Sequence, residues 1–128
     1  MAPYFMVIDS NIFIEHLRAK DKHKTILFSL SDQPKLCISA VTLYELYMGA
    51  TSHEKKKDIQ LLIDGMTILP FDDAVALRAS EIYHELRNIN QLIEFRDIFI
   101  AATCLVYNFA LKTVNTKHFK RIPGIVLS

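Results

Sequence analysis

Three acidic residues stand in surroundings where a carboxylate is costly. Glu45 interrupts the run Leu43-Tyr44-Glu45-Leu46-Tyr47-Met48, and its helical neighbours Val41, Thr42, Met48 and Gly49 include no base. Such a side chain must reach solvent, pair with a distant Arg or Lys, or meet a metal ion. Asp97 opens the helical run Ile98-Phe99-Ile100-Ala101-Ala102. An acid in a first turn is an ordinary cap that suits the helix dipole, but capping does not call for Ala101 and Ala102. Those small residues permit close backbone approach one turn further on. Asp9 ends the apolar run Tyr4–Ile8 and can likewise cap the helix that follows. Singly each acid is ambiguous. Together they place three carboxylates at helix starts or first turns along one edge of an inferred sheet. Converging carboxylates repel, and a divalent cation with oxygen ligands relieves that repulsion. With no Cys/His spacing suited to zinc, Mg²⁺ or Mn²⁺ is the expected cofactor.

The elements that must position these acids follow from the apolar pattern. Tyr4–Ile8 predicts a buried strand, and Ile12, Phe13, Ile14 and Leu17 a short helix capped by Asp9 or Ser10. A second helix is expected over Lys22–Leu30, a second strand over Lys35–Ser39, and a helix from about Val41 to Met48 ending at Gly49. His53–Asp64 reads as a charged helix with Ile59, Leu62 and Ile63 inward and the Lys55–Lys57 face solvated. Met66–Phe71 is a third strand. Asp72 or Asp73 then caps a long helix with Ala76, Ala79, Ile82, Tyr83 and Leu86 at helical spacing. A turn over Asn88–Gln91 precedes a helix over about Asp97–Asn108, and Ala110–Val114 and Ile125–Leu127 complete about five strands. Strands that alternate with helices and lack polar/apolar alternation imply a three-layer α/β/α fold around a mostly parallel sheet. Function in such sheets collects beyond the C-terminal strand ends, where Asp9, Ser39 and Asn115 fall.

Composition sets the outer limits. The 128 residues are 51% hydrophobic and 23% charged, which suits one domain spanning 1–128 with an ample core and rules out disorder. Fifteen basic against fourteen acidic side chains leave a net charge of +1, which by itself argues weakly against a nucleic-acid partner. Cys37 and Cys104 form no CxxC pattern and read as small buried hydrophobes of a reducing compartment. The N-terminus has no basic segment before its apolar run, and the apolar stretch Ile98–Leu111 is too short to span a bilayer. A cytoplasmic protein is expected.

Four blocks carry a family resemblance: Val7-Ile8-Asp9-Ser10-Asn11, Ser39-Ala40-Val41-Thr42-Leu43-Tyr44-Glu45-Leu46, Arg96-Asp97-Ile98-Phe99-Ile100-Ala101-Ala102, and Thr113-Val114-Asn115-Thr116-Lys117-His118-Phe119. In this order and spacing, over essentially the whole chain, they resemble a PIN-domain ribonuclease of the VapC toxin type. The resemblance implies a metal-dependent endoribonuclease that hydrolyses RNA phosphodiester bonds, held inactive by a cognate antitoxin and forming a homodimer. It matches Asp9, Glu45 and Asp97 to the three leading metal-site acids. At the fourth position, where such enzymes often carry an acid, Asn115 and His118 stand; Asn115 can offer an amide oxygen, and His118 can contact phosphate or orient water.

Such a site would act by metal-assisted hydrolysis, with Asp9 and Asp97 as principal ligands and Glu45 a ligand or the group that orients the nucleophile. Ser10 and Asn11 can hold phosphate or serve as cap residues, and Glu94 is an accessory or simply exposed acid. Lys112, Lys117, Lys120 and Arg121 form an acid-free basic segment suited to phosphate contact or a solvated loop. Arg96 can touch phosphate or pair with Glu94. Tyr44 and Tyr47 can stack on bases or form a dimer or antitoxin contact, but packing in the core or at its rim is the weightier expectation. Two rival folds fail on particular residues: a haloacid-dehalogenase-like phosphatase needs an acid where Asn11 stands, and a receiver needs paired acids at its first strand. The remaining alternative is a catalytically impaired PIN-like regulatory module that binds RNA or protein.

Overall fold

The structure, a computed structural model, describes residues 5–30 and 35–128. Strand β1 (Phe5–Ile8) passes through Asp9 into α1 (Ser10–Arg18), followed by a 3₁₀ turn at Lys22–Lys24 and α2 (Ile26–Ser29). Strand β2 (Lys35–Ser39) leads into α3 (Ala40–Met48) and α4 (His53–Ile63). Strand β3 (Thr67–Leu69) precedes α5 (Asp73–Asn88) and α6 (Phe95–Tyr107), and β4 (Ala110–Lys112) precedes α7 (Thr116–Phe119). All strand pairs are parallel, in the order β3-β2-β1-β4, with Val7 in register with both Cys37 and Leu111.

Successive strand residues point to opposite faces, and each face is covered. Met6, Ile8 and Ile38 pack with Ile12, Phe13, Leu46 and Ile59 from α1, α3 and α4. Val7, Cys37 and Leu111 pack with Val75, Ala79, Ile82, Ile98 and Ala101 from α5 and α6. The result is the expected three-layer α/β/α arrangement around a parallel sheet. Both cysteines are free and buried, as their apolar neighbours implied. Burial pushes the Cys104 thiol up to about 12, with the nearby Asp9 charge adding to the effect, and raises Cys37 as well.

Several boundaries differ from the sequence expectation. Among the described residues four strands form the sheet, and the segment around Leu127 joins it through a single bridge to Leu111. Pro123, which has no N–H, and Gly124, at φ +85°, turn the chain just before that segment. The second helix is split, because Thr25 turns extended and caps α2 by accepting a hydrogen bond from Phe28 N–H at 3.2 Å. On α5 the buried stripe is Val75, Ala79, Ile82 and Leu86, with Ala76 turned outward. Asp72 caps that helix as expected, accepting from Val75 N–H at 3.0 Å. α6 begins two residues earlier than expected, which puts Asp97 inside its first turn. Its end is set by Asn108 at φ 60°. Tyr4, the first residue of the expected first strand, lies outside the described residues. No helix among the described residues is long and apolar enough to cross a membrane.

Candidate active site

The strand order reverses beside β1: the chain steps outward to β2 and β3, then returns to β4 on the other side of β1. The crevice above the C-terminal ends of β1 and β4 is therefore a topological switch point, where side chains from separate loops converge. Asp9 leaves β1 at that crevice, and its N–H donates to Lys112 carbonyl at the end of β4 at 3.0 Å. Helices α1, α3 and α6 start at this same edge because each descends from the C-terminal side of the sheet. Their N-terminal ends favour negative charge.

Asp9 is fully buried, Asp97 is 1% exposed, and the Glu45 side chain is 22% exposed. The guanidinium of Arg96 joins them. Its Nη2 donates to Asp9 Oδ1 at 2.7 Å, its Nε donates to Glu45 Oε2 at 2.7 Å, and its Nη1 donates to Asp97 Oδ1. Nη2 also donates to Ser10 Oγ at 2.8 Å. Burial disfavours the charged guanidinium, but the hydrogen bonds and charges of Glu45 and Asp9 outweigh it and hold Arg96 above its ordinary pKa. Arg96 does not pair with Glu94, which is exposed and makes no side-chain cap bond. The structure places it instead against Asp9, Glu45 and Asp97.

The outer oxygens of the aspartates are held separately. Thr113 Oγ1 donates to Asp9 Oδ2 at 2.7 Å, and Asp9 Oδ1 also accepts from Ser10 N–H at 2.7 Å. His118 Nδ1 lies 3.3 Å from Asp97 Oδ2 and 2.9 Å from Asn115 Nδ2. The residues at the fourth position thus meet the cluster through Asp97. Glu45 Oε1 is buried without a hydrogen-bond partner among the described residues. Ala101 and Ala102 are fully buried beneath Asp97, so α6 lies close over the sheet.

The remaining candidates are dispersed. Asn11, Lys117 and Lys120 are exposed, the two lysines on and just after α7. Lys112 Nζ donates to Ser128 carbonyl at 3.4 Å, and Arg121 Nη1 to Leu92 carbonyl at 3.3 Å, so both are engaged away from the acids. Ser39 Oγ caps α3, accepting from Thr42 N–H at 3.0 Å. Tyr47 packs at the rim of the core, whereas Tyr44 is largely exposed, in contrast to the expectation. Glu45 separates two grooves. One, of about 240 Å³, runs between α1, α3 and α4 along Ile14, Leu17, Leu46 and Ile59. The other, of about 470 Å³, is lined by Tyr44, Met48, Phe71 and Phe99 together with Glu45 and Arg96.

Residues 6–125 match the family model described as PIN domain. This chain belongs to the PIN-domain family. The PIN domain is 31% identical to Ribonuclease VapC of Rickettsia bellii, the match covering 94% of this chain and 92% of that one. It is 30% identical to the tRNA(fMet)-specific endonuclease VapC of Shigella flexneri, over 93% and 92% of the two chains. In space it superposes on a chain of DNA-bound VapBC from Salmonella typhimurium with a TM-score of 0.84 at 28% identity, covering 99% of this PIN domain and 98% of that chain.

Two features of the PIN site escaped sequence reasoning. Thr113 carries a signal only once the strand order is known: with β4 beside β1, the residue after Lys112 must lie next to Asp9. Arg96 stands out as a base, but its adjacency to Asp97 suggests a local role.

Proposed function

We propose that this PIN domain, spanning the chain, is a divalent-cation-dependent endoribonuclease and the toxin of a VapBC-type toxin–antitoxin pair. It acts in the cytoplasm on RNA, pairs with a cognate antitoxin and forms a homodimer. The observation that carries this reading is the meeting of Asp9 at the start of α1, Asp97 in the first turn of α6 and Glu45 further along α3 around the Arg96 guanidinium. The relatives named above are ribonucleases, and their likeness covers nearly the whole chain.

The donor set fits Mg²⁺ or Mn²⁺. Every candidate ligand is a carboxylate oxygen, which suits a hard cation, and Glu45 Oε1 is a buried oxygen without a partner among the described residues. Asp9 and Asp97 would hold the ion, with Glu45 as a third ligand. Bound there, it would supply Lewis-acid polarisation of the phosphodiester and offset charge on the departing oxygen. The chain's own residues do the rest. Thr113 and Ser10 fix the Asp9 carboxylate, and His118, steadied by Asn115, fixes that of Asp97. Glu45 Oε1 orients the attacking water and receives its proton. Lys117 and Lys120 draw in the phosphate backbone, so a net charge of +1 is no obstacle to a locally bound RNA.

Arg96 within the cluster, with an amide and an imidazole at the fourth position, favours a second reading: a regulatory PIN module that binds RNA or protein without cutting it. Expression in the native host separates the two. The toxin reading expects growth arrest that an adjacent gene product relieves and that Asp97→Asn abolishes. Clean expression of the wild-type chain without arrest, or arrest persisting in Asp97→Asn, contradicts it.

A further inference from the structure

Arg96 satisfies the three carboxylates in the way a bound cation would. Three of its donor nitrogens reach three acids from three helices, two of them fully or almost fully buried. With the guanidinium in place, no group of three or more His, Cys, Asp or Glu among the described residues is set to hold a metal ion. The spacing explains this. A planar fork separates its acceptors by several bonds, whereas Mg²⁺ draws oxygens to within about 2.1 Å of one point. The inner oxygens of Asp9, Glu45 and Asp97 therefore serve one cation or the other. Arg96 also has a place to go. Its side chain borders the groove lined by Tyr44, Phe71 and Phe99, whose ring faces can receive a guanidinium.

We infer that Arg96 is an exchangeable counter-ion: it closes the acid cluster in the cation-free protein, and a divalent cation entering between Asp9, Glu45 and Asp97 displaces it toward the aromatic groove. This rests on reading the cluster as a divalent-cation site. Arg96 is thus a built-in competitor that weakens cation binding, and its release leaves a mobile positive charge at the mouth of the site.

The test is Mn²⁺ binding to the full-length protein, followed by electron paramagnetic resonance, for wild type, Arg96→Gln and Asp97→Asn. Arg96→Gln should bind Mn²⁺ about tenfold more tightly or better, since a set of charge-assisted hydrogen bonds no longer has to be broken. Asp97→Asn should lose most of the binding, which locates the ion. Equal or weaker binding by Arg96→Gln, with wild-type binding intact, overturns the exchange and leaves the cation site standing. No binding by wild type or Arg96→Gln overturns both. Should Arg96→Gln fail to fold, the wild-type protein decides by NMR. The Arg96 Nε–H signal, assigned by its loss in Arg96→Lys, should leave its hydrogen-bonded position on addition of Mg²⁺. A signal that stays in place with Mg²⁺ bound overturns the exchange.

Discussion

Thr113 Oγ1 donates to Asp9 Oδ2 at 2.7 Å and accepts from Asn115 N–H at 3.0 Å, linking the residue after β1 to the loop after β4. One hydroxyl therefore orients a fully buried carboxylate and shapes the turn that presents Asn115 and His118. Thr113→Val keeps the shape and removes both bonds, leaving a buried acceptor unsatisfied. It should cost about 1–3 kcal/mol of stability and lower RNA cleavage, while Thr113→Ser retains most of both. Denaturant unfolding and single-turnover cleavage of the three proteins check this. A Val variant as stable and active as wild type contradicts the role given to Thr113.

Lys117 and Lys120 are exposed beside the residues that touch Asp97, and neither is needed for the core. Replacing both with Glu should raise KM for RNA and leave kcat within about twofold, because exposed phosphate contacts position the substrate without acting on the reacting atoms. The dependence of binding on salt should also flatten, its slope falling by roughly 0.7 for each lysine–phosphate pair removed. Steady-state kinetics at two ionic strengths would show it. An unchanged KM and salt slope would place the RNA path elsewhere.

Cys104 and Cys37 make a prediction about alkaline pH. The Cys104 thiol is held up to about 12 by burial, so it stays neutral in the folded protein at pH values where an unfolded thiol ionises. The folded state then binds the proton more tightly. The stability this confers is complete below about pH 8.5, the unfolded value, and is lost as pH rises through the folded one. Unfolding free energy should therefore decline above that pH, and the slope should flatten in Cys104→Ala whatever its baseline stability. Neither thiol should react with a disulfide reagent at pH 8 until the protein is unfolded. Rapid modification of the native protein would contradict their burial.

The acids are conspicuous in the sequence because each sits in the wrong company. Glu45 has apolar neighbours on its helix, and Asp97 is followed by alanines too small to be explained by capping. Alternating strands and helices likewise lead to the layered sheet. What lies beyond reach is pairing across long separations. Arg96 meets Glu45 from 51 residues away and Asp9 from 87, and nothing in local pattern distinguishes such a partner from a surface base. Thr113 becomes a site residue only through the β1–β4 register, which depends on the strand order. The fifth strand shrinks to a bridge because backbone geometry at Pro123 and Gly124 governs there, while hydrophobic pattern alone suggests continuity. Thr25 divides an expected helix for a comparable reason, its side chain offering the backbone a cap in place of another turn.

The central claim, that Asp9, Glu45 and Asp97 form the cation-dependent cutting centre of a ribonuclease, meets its most direct test in one cleavage assay. Purified wild-type and Asp97→Asn proteins, both confirmed folded by circular dichroism, are incubated with RNA in Mg²⁺ or Mn²⁺ and in excess EDTA. The account predicts cleavage by the wild type with either cation, and a loss of about a hundredfold or more in EDTA or on substitution of Asp97. Cleavage by Asp97→Asn at the wild-type rate, or wild-type cleavage indifferent to EDTA, would contradict it.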